Sequence, residues 1–218
     1  MGDLKRDRAS GVTLIVCAVI SAGFMVAHPS VSAGELSAAF AEARHEAPIA
    51  MFVHAVLIAV TACFVFGYSG FAQRLGLHRP SVRAGLIAYV VGAIGGVGAG
   101  VINGLVFPEL ATEYADRSQA EMETAHMVLR YAGRVSNVLA QMCVLGWSAA
   151  LIAWSTAVVP LSGLWKWIAG LGVLIGLGFS IVLLAGQLTL DVAGFGSFVF
   201  AHGLWATLVG AKLALASD

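Results

Sequence analysis

Two Glu-x-x-His pairs are the most metal-like feature of this sequence: Glu42 with His45, and Glu123 with His126. Three residues apart on a helix, a carboxylate and an imidazole share one face. Helical bundles hold two metal ions with a pair of such motifs plus carboxylates from neighbouring helices. Glu46, Glu109 and Glu113 are available as extra carboxylates, and His28, just before Pro29, is a further imidazole. A divalent metal held by Glu42, His45, Glu123, His126 and His28 is therefore one chemistry the sequence suggests. The competing reading is a solvated, glutamate-rich surface on which two such matches arise by chance.

A second set of polar residues is embedded in apolar sequence. Arg130, Arg134, Asn137 and Gln141 follow one another at helical spacing and form one stripe. Such a stripe avoids lipid by facing other helices or a wet cavity, and its two arginines suit an anion such as a carboxylate or a lipid phosphate. Alternatively, the arginines snorkel to the headgroups with their stems in lipid. His54 shares a face with Thr61 and Tyr68, and His202 lies further along the chain past Asp191. With Asn103 and Gln187 these residues describe a polar ligand-binding pocket. Two histidines on different helices are also what a b-type haem needs as axial ligands, with an arginine near its propionates. The helical rise puts His54 about 9 Å and His202 about 16 Å from the same membrane surface, a poor match for opposed ligands. A histidine hydrogen-bonded to a neighbouring helix is the plainer role for each. A third possibility is passage of a small solute along Asn103, Asn137, Gln141 and His202. Familiar catalytic signatures are missing: there is no HExxH, GxSxG, Walker loop or CxxC, so the chain reads as a binding protein rather than an enzyme.

The elements that must position these groups are membrane helices. Mean hydropathy is +0.89, with 59% hydrophobic and 11% charged residues, against roughly a quarter charged in a soluble domain. Six long apolar segments recur along the chain, and a hydrocarbon core about 30 Å thick takes about 20 apolar residues of helix. Unpaired backbone groups are too costly in lipid for anything but helices or a closed barrel, and the alternation of a barrel is absent. The expectation is an all-α, six-helix transmembrane bundle in one domain, with helices over 11–27, 48–71, 84–108, 119–159, 163–190 and 192–213 and short extracytoplasmic helical segments. Ser32 to Glu35 and Ser118 to Glu121 have the capping-box pattern that starts a helix. A short amphipathic helix over 34–46, with Leu36, Phe40 and Ala43 facing the membrane, is expected after the first.

Net charge is zero, so no nucleic-acid partner is implied, but its distribution is uneven. Lys5, Arg6, Arg8, Arg74, Arg79, Arg83, Lys166 and Lys212 fall at one end of the predicted bundle. Glu35, Glu42, Glu46, Glu109, Glu113, Asp116, Glu121, Glu123 and Asp191 fall at the other, with Arg44, Arg117, Arg130 and Arg134. The positive-inside rule makes both termini cytoplasmic in a bacterial-type inner membrane. The first segment also has a small-residue site, Val31-Ser32-Ala33, at which a signal peptidase would leave five helices, but its apolar stretch is longer than a usual signal core. Cys17, Cys63 and Cys143 lie in apolar segments, so no disulfide is expected. Gly92, Gly96, Gly100 and Gly104 recur every four residues, a face on which another helix can pack closely.

The segment Arg130 to Gly178 resembles uncharacterised bacterial six-helix membrane proteins. The likeness lies in Trp147-Ser148-Ala149-Ala150-Leu151, in a Pro160 to Trp165 turn and in a glycine-rich helix from Trp167, and His28-Pro29 with Val53-His54 adds to it. The resemblance implies six helices and no particular activity.

Overall fold

A computed structural model describes residues 2–29, 34–159 and 163–215. These residues are built from helices: α1 (Gly2–Val26), α2 (Leu36–Leu75), α3 (Pro80–Val101), a π-helical turn (Ile102–Val106), α4 (Phe107–Tyr114), α5 (Gln119–Val158), α6 (Leu164–Leu184) and α7 (Val192–Ala214). Because α3, the π turn and α4 are continuous, the described residues contain six helices long and apolar enough to cross a membrane. Large apolar side chains such as Phe52, Ile94, Val138, Trp167 and Leu184 point outward. Such a surface is compatible with an integral membrane protein.

The helices are held together by small residues. Packing is most extensive between α3 and α5, then between α1 and α7, α5 and α6, and α1 and α2. A methyl group on Gly11 would stand 2.4 Å from the Gly210 carbonyl, and one on Gly92 would stand 2.5 Å from Trp147. Close approach of this kind gains dispersion energy where lipid and side chain are equally apolar. The four-residue glycine row is occupied within the chain: Gly92 and Gly96 lie on α5, and Gly100 and Gly104 lie on α2. At the basic end, buried Asp7 pairs with Arg74 at 3.4 Å and ties α1 to the last turn of α2.

Several boundaries differ from expectation for identifiable reasons. The 34–46 helix and the 48–71 helix are one element, α2, with Pro48 inside it. Proline inside a helix removes one backbone bond and crowds the preceding turn. The helix continues because the segment before Pro48 is clamped. Leu36, Phe40 and Ala43, expected to face the membrane, pack instead on Ala111, Met122 and Ala125 of α4 and α5. Ser32 and Ala33 lie outside the described residues, and α2 is preceded by Glu35 as N-cap. The second capping box is present: the Ser118 hydroxyl and backbone N–H both donate to Glu121, at 2.6 and 3.0 Å. The 84–108 helix extends to Tyr114 past Pro108, which has no N–H to offer the Gly104 carbonyl. The wide π turn lies directly before it, closed by the Phe107 N–H donating to the Ile102 carbonyl. The 163–190 helix stops at Leu184, because Gly186 adopts φ +70°. There the Gly186 and Gln187 N–H groups close onto the Leu183 and Val182 carbonyls in a Schellman motif.

Candidate functional site

At the acid-rich end a cavity of about 230 Å³ lies among α1, α2, α3, α5 and α7. Its floor is apolar and aromatic, with Phe64, Trp147 and Val199, and Thr61 lies on its wall. His28, His54, Asn103 and Asp191 contribute polar groups. A second cavity of about 200 Å³ is bordered by Glu46, Phe107 and Pro108. His28, His54 and Asn103 line both cavities and therefore separate them.

Each of these three side chains is placed by a local feature of the sequence. α1 ends at Val26, and Pro29 disfavours helical backbone for His28, so this imidazole stands just beyond the helix end. His54 is on the buried face of α2 and is only 6% exposed. It faces Gly104, where an added Cβ would fall 2.0 Å from the His54 Cβ, so the absence of a side chain there admits the imidazole. Asn103 is carried by the π turn, and its Oδ1 accepts a 3.1 Å bond from the Ser136 hydroxyl of α5. The His28 and His54 rings meet edge to face, with centroids 4.8 Å apart. Their Nε2 atoms are 3.3 Å apart, and each Nδ1 lies 2.8 Å from a backbone carbonyl, Pro29 for His28 and Ala50 for His54.

Asp191 caps α7. The Gly194 N–H donates to its carboxylate at 2.8 Å and the Thr189 hydroxyl donates at 3.0 Å. These donors hold its carboxyl below the usual carboxylate range.

His202 also borders the first cavity but belongs to the aromatic core. It is 1% exposed, stacks on Trp147 with centroids 4.5 Å apart and has its Nε2 3.1 Å from the Tyr68 hydroxyl. Tyr89 lies further off at 3.5 Å. The two histidines considered as haem ligands therefore direct their Nε2 atoms to different partners, His54 to His28 and His202 to Tyr68, and are not an opposed axial pair.

No protein-family model, no curated protein and no solved structure matches this chain. What the site can do follows from its geometry alone.

The remaining residues suggested by the sequence are placed elsewhere. Arg130, Arg134, Asn137 and Gln141 do form a stripe on α5, but it lies on the exposed face, where Gln141 donates to Asn137 at 3.0 Å. The face of α5 turned toward α3 carries Ser136, Ala140, Cys143 and Trp147 instead. These positions are offset by about 100° around the helix from Asn137 and Gln141. Small side chains, not polar ones, make the close approach to the α3 glycines. Asn103, Asn137, Gln141 and His202 therefore do not line a common path. Gln187 lies in the exposed segment after α6 rather than in the pocket. Among the described residues, no three His, Cys, Asp or Glu side chains converge on a point that would hold a metal. The five-residue set of Glu42, His45, Glu123, His126 and His28 is thus not assembled. Phe40 of α2 and Met122 and Ala125 of α5 turn inward against α4, which leaves His45, Glu123 and His126 exposed. Arg44 forms an ion pair with Asp116, and the Glu123 carboxylate accepts from Gln119.

Three features are not anticipated from sequence: the meeting of His28 with His54, the stacking of Trp154 and Trp205 on Tyr68, and the buried Asp7. A signal existed for the second, since His54, Thr61 and Tyr68 share one face of α2. The other two depend on contacts between helices distant in sequence.

Proposed function

We propose that this chain is a multi-pass protein of a bacterial inner membrane, with both termini cytoplasmic and α1 retained, that binds a small, mainly apolar molecule carrying one polar end. The observation that carries the reading is the first cavity. Apolar walls meet a few convergent polar groups, the usual make-up of a ligand site, and a volume of about 230 Å³ fits a molecule smaller than a typical drug. Retention of α1 is supported by its backbone contact with α7 at Gly11 and Gly210, since a cleaved segment would leave α7 without its main neighbour. The membrane assignment is supported by six long apolar helices and by the separation of acidic from basic residues between their ends.

Indole, a flat apolar bicycle with one N–H donor, is a suitable probe. Native mass spectrometry of the purified protein is expected to show one indole bound. Thr61→Trp fills the cavity and should abolish binding, whereas Thr156→Trp, on the exposed face of α5, should retain it. Equal binding by both variants refutes the reading.

A further inference from the structure

We propose that His28 and His54 form a binding site for a divalent transition-metal ion of the imidazole-preferring class, of which Zn²⁺ is the reference. The argument is one of hydrogen positions. Each Nδ1 is 2.8 Å from a backbone carbonyl oxygen, and a carbonyl only accepts, so both Nδ1 atoms carry the hydrogen. A neutral imidazole has one N–H, so each Nε2 then presents a bare lone pair. With both rings neutral, the two Nε2 atoms then stand 3.3 Å apart with no proton to share. Left alone, the arrangement is repulsive, and a cation between the nitrogens resolves it.

The dimensions suit a metal ion. Zinc–imidazole bonds of 2.0–2.1 Å at a tetrahedral angle place two ligand nitrogens about 3.3–3.4 Å apart. The supporting contacts are also those of a metal site: ligating histidines almost always donate the other ring nitrogen to a carbonyl or carboxylate, which fixes the tautomer and aims Nε2 at the ion.

Surroundings agree with this. The pair stands between two cavities, so water can complete the coordination from either side. A carboxylate borders each cavity, Asp191 on one side and Glu46 on the other, and favours positive charge between them. With two protein ligands and its other positions left to water, the site lacks the four protein ligands of the closed kind that only staples a fold. The proposal stands apart from indole binding in the cavity: an ion held by a protein that takes no indole still supports it.

The test uses the full-length protein, stripped with chelator and titrated with Co²⁺, whose visible absorption reports tetrahedral coordination, and then with Zn²⁺ in competition. One equivalent is expected. His28→Asn and His54→Asn should each weaken binding by about tenfold or more, while a His45→Asn/His126→Asn double variant should bind as the parent does. X-ray absorption of the zinc-loaded parent guards against variants that fail to fold: two imidazole scatterers support the site, and one or none overturns it. No binding at sub-millimolar metal overturns it too, leaving a pair that takes a proton only, as does loss of binding in the His45/His126 variant alone.

Discussion

Gly92→Ala is the sharpest probe of how this bundle is held together. The added Cβ would stand 2.5 Å from Trp147 Cδ1 and 3.0 Å from both the Cys143 carbonyl oxygen and the Trp147 backbone nitrogen. Two of these three atoms are backbone, so α5 itself must retreat to restore contacts of about 3.5–4.0 Å. A shift of about 0.5–1 Å forfeits a quarter to a half of each contact it opens. A patch the size of one buried leucine makes about 40–60 such contacts at about 0.1–0.2 kcal/mol each, so losing a quarter of them costs about 2 kcal/mol. That lies within the 1–3 kcal/mol typical of an overpacked core. Gly178→Ala is the matched control, because nothing lies within 4 Å of its would-be Cβ. It should change stability by no more than the helix-propensity difference of about 1 kcal/mol, in the stabilising direction. Unfolding of both variants in mixed detergent micelles measures the contrast. The propensity gain is common to both variants, so if Gly92→Ala is as stable as Gly178→Ala, α3 and α5 do not approach as described.

Three further outcomes follow from the geometry. Tyr68→Phe removes the 3.1 Å partner of buried His202 and should cost about 1–3 kcal/mol, whereas Tyr89→Phe, at 3.5 Å, should cost less; the same unfolding assay ranks them. Asp191 holds a lowered pKa, so its capping of α7 is fully present above the ordinary carboxylate range and is lost as pH falls through the lowered folded value. Hydrogen-exchange protection at residues 192–195, after division by the intrinsic exchange rate at each pH, should therefore fall in acid in the parent and show no such fall in Asp191→Ala. Asn137→Leu/Gln141→Leu removes a polar pair from an exposed helix face and should leave both metal and indole binding unchanged. A loss of either in that variant would place the stripe in the site after all.

Much of this architecture is legible in the sequence because long apolar segments leave few alternatives to helices. Segment length and hydropathy located all six long helices, and Ser118 with Glu121 marked the start of α5. The glycine row identified a close-packing face on α3. Legibility failed where a choice between faces was decided by packing. The polar stripe on α5 and its small-residue face are offset by one position, and the glycines of α3 accept only the latter. It failed again at Pro48, where tertiary contacts of Phe40 and Ala43 carry a helix through a residue that ordinarily breaks one. The site was half visible. His54, Asn103 and His28 each stand out in the sequence, but nothing in the spacing brings the His28 ring against that of His54, because a contact across 26 residues and two helices leaves no periodic trace.

The central claim is that this bundle spans a membrane with its acid-rich, cavity-bearing end outside. Cysteine labelling in intact cells tests it most directly, in a background with Cys17, Cys63 and Cys143 replaced by alanine. Glu113→Cys should react with a membrane-impermeant maleimide added outside, and Leu77→Cys, at the basic end, only after the cells are opened. The reverse pattern, or equal labelling of both positions in intact cells, contradicts the account.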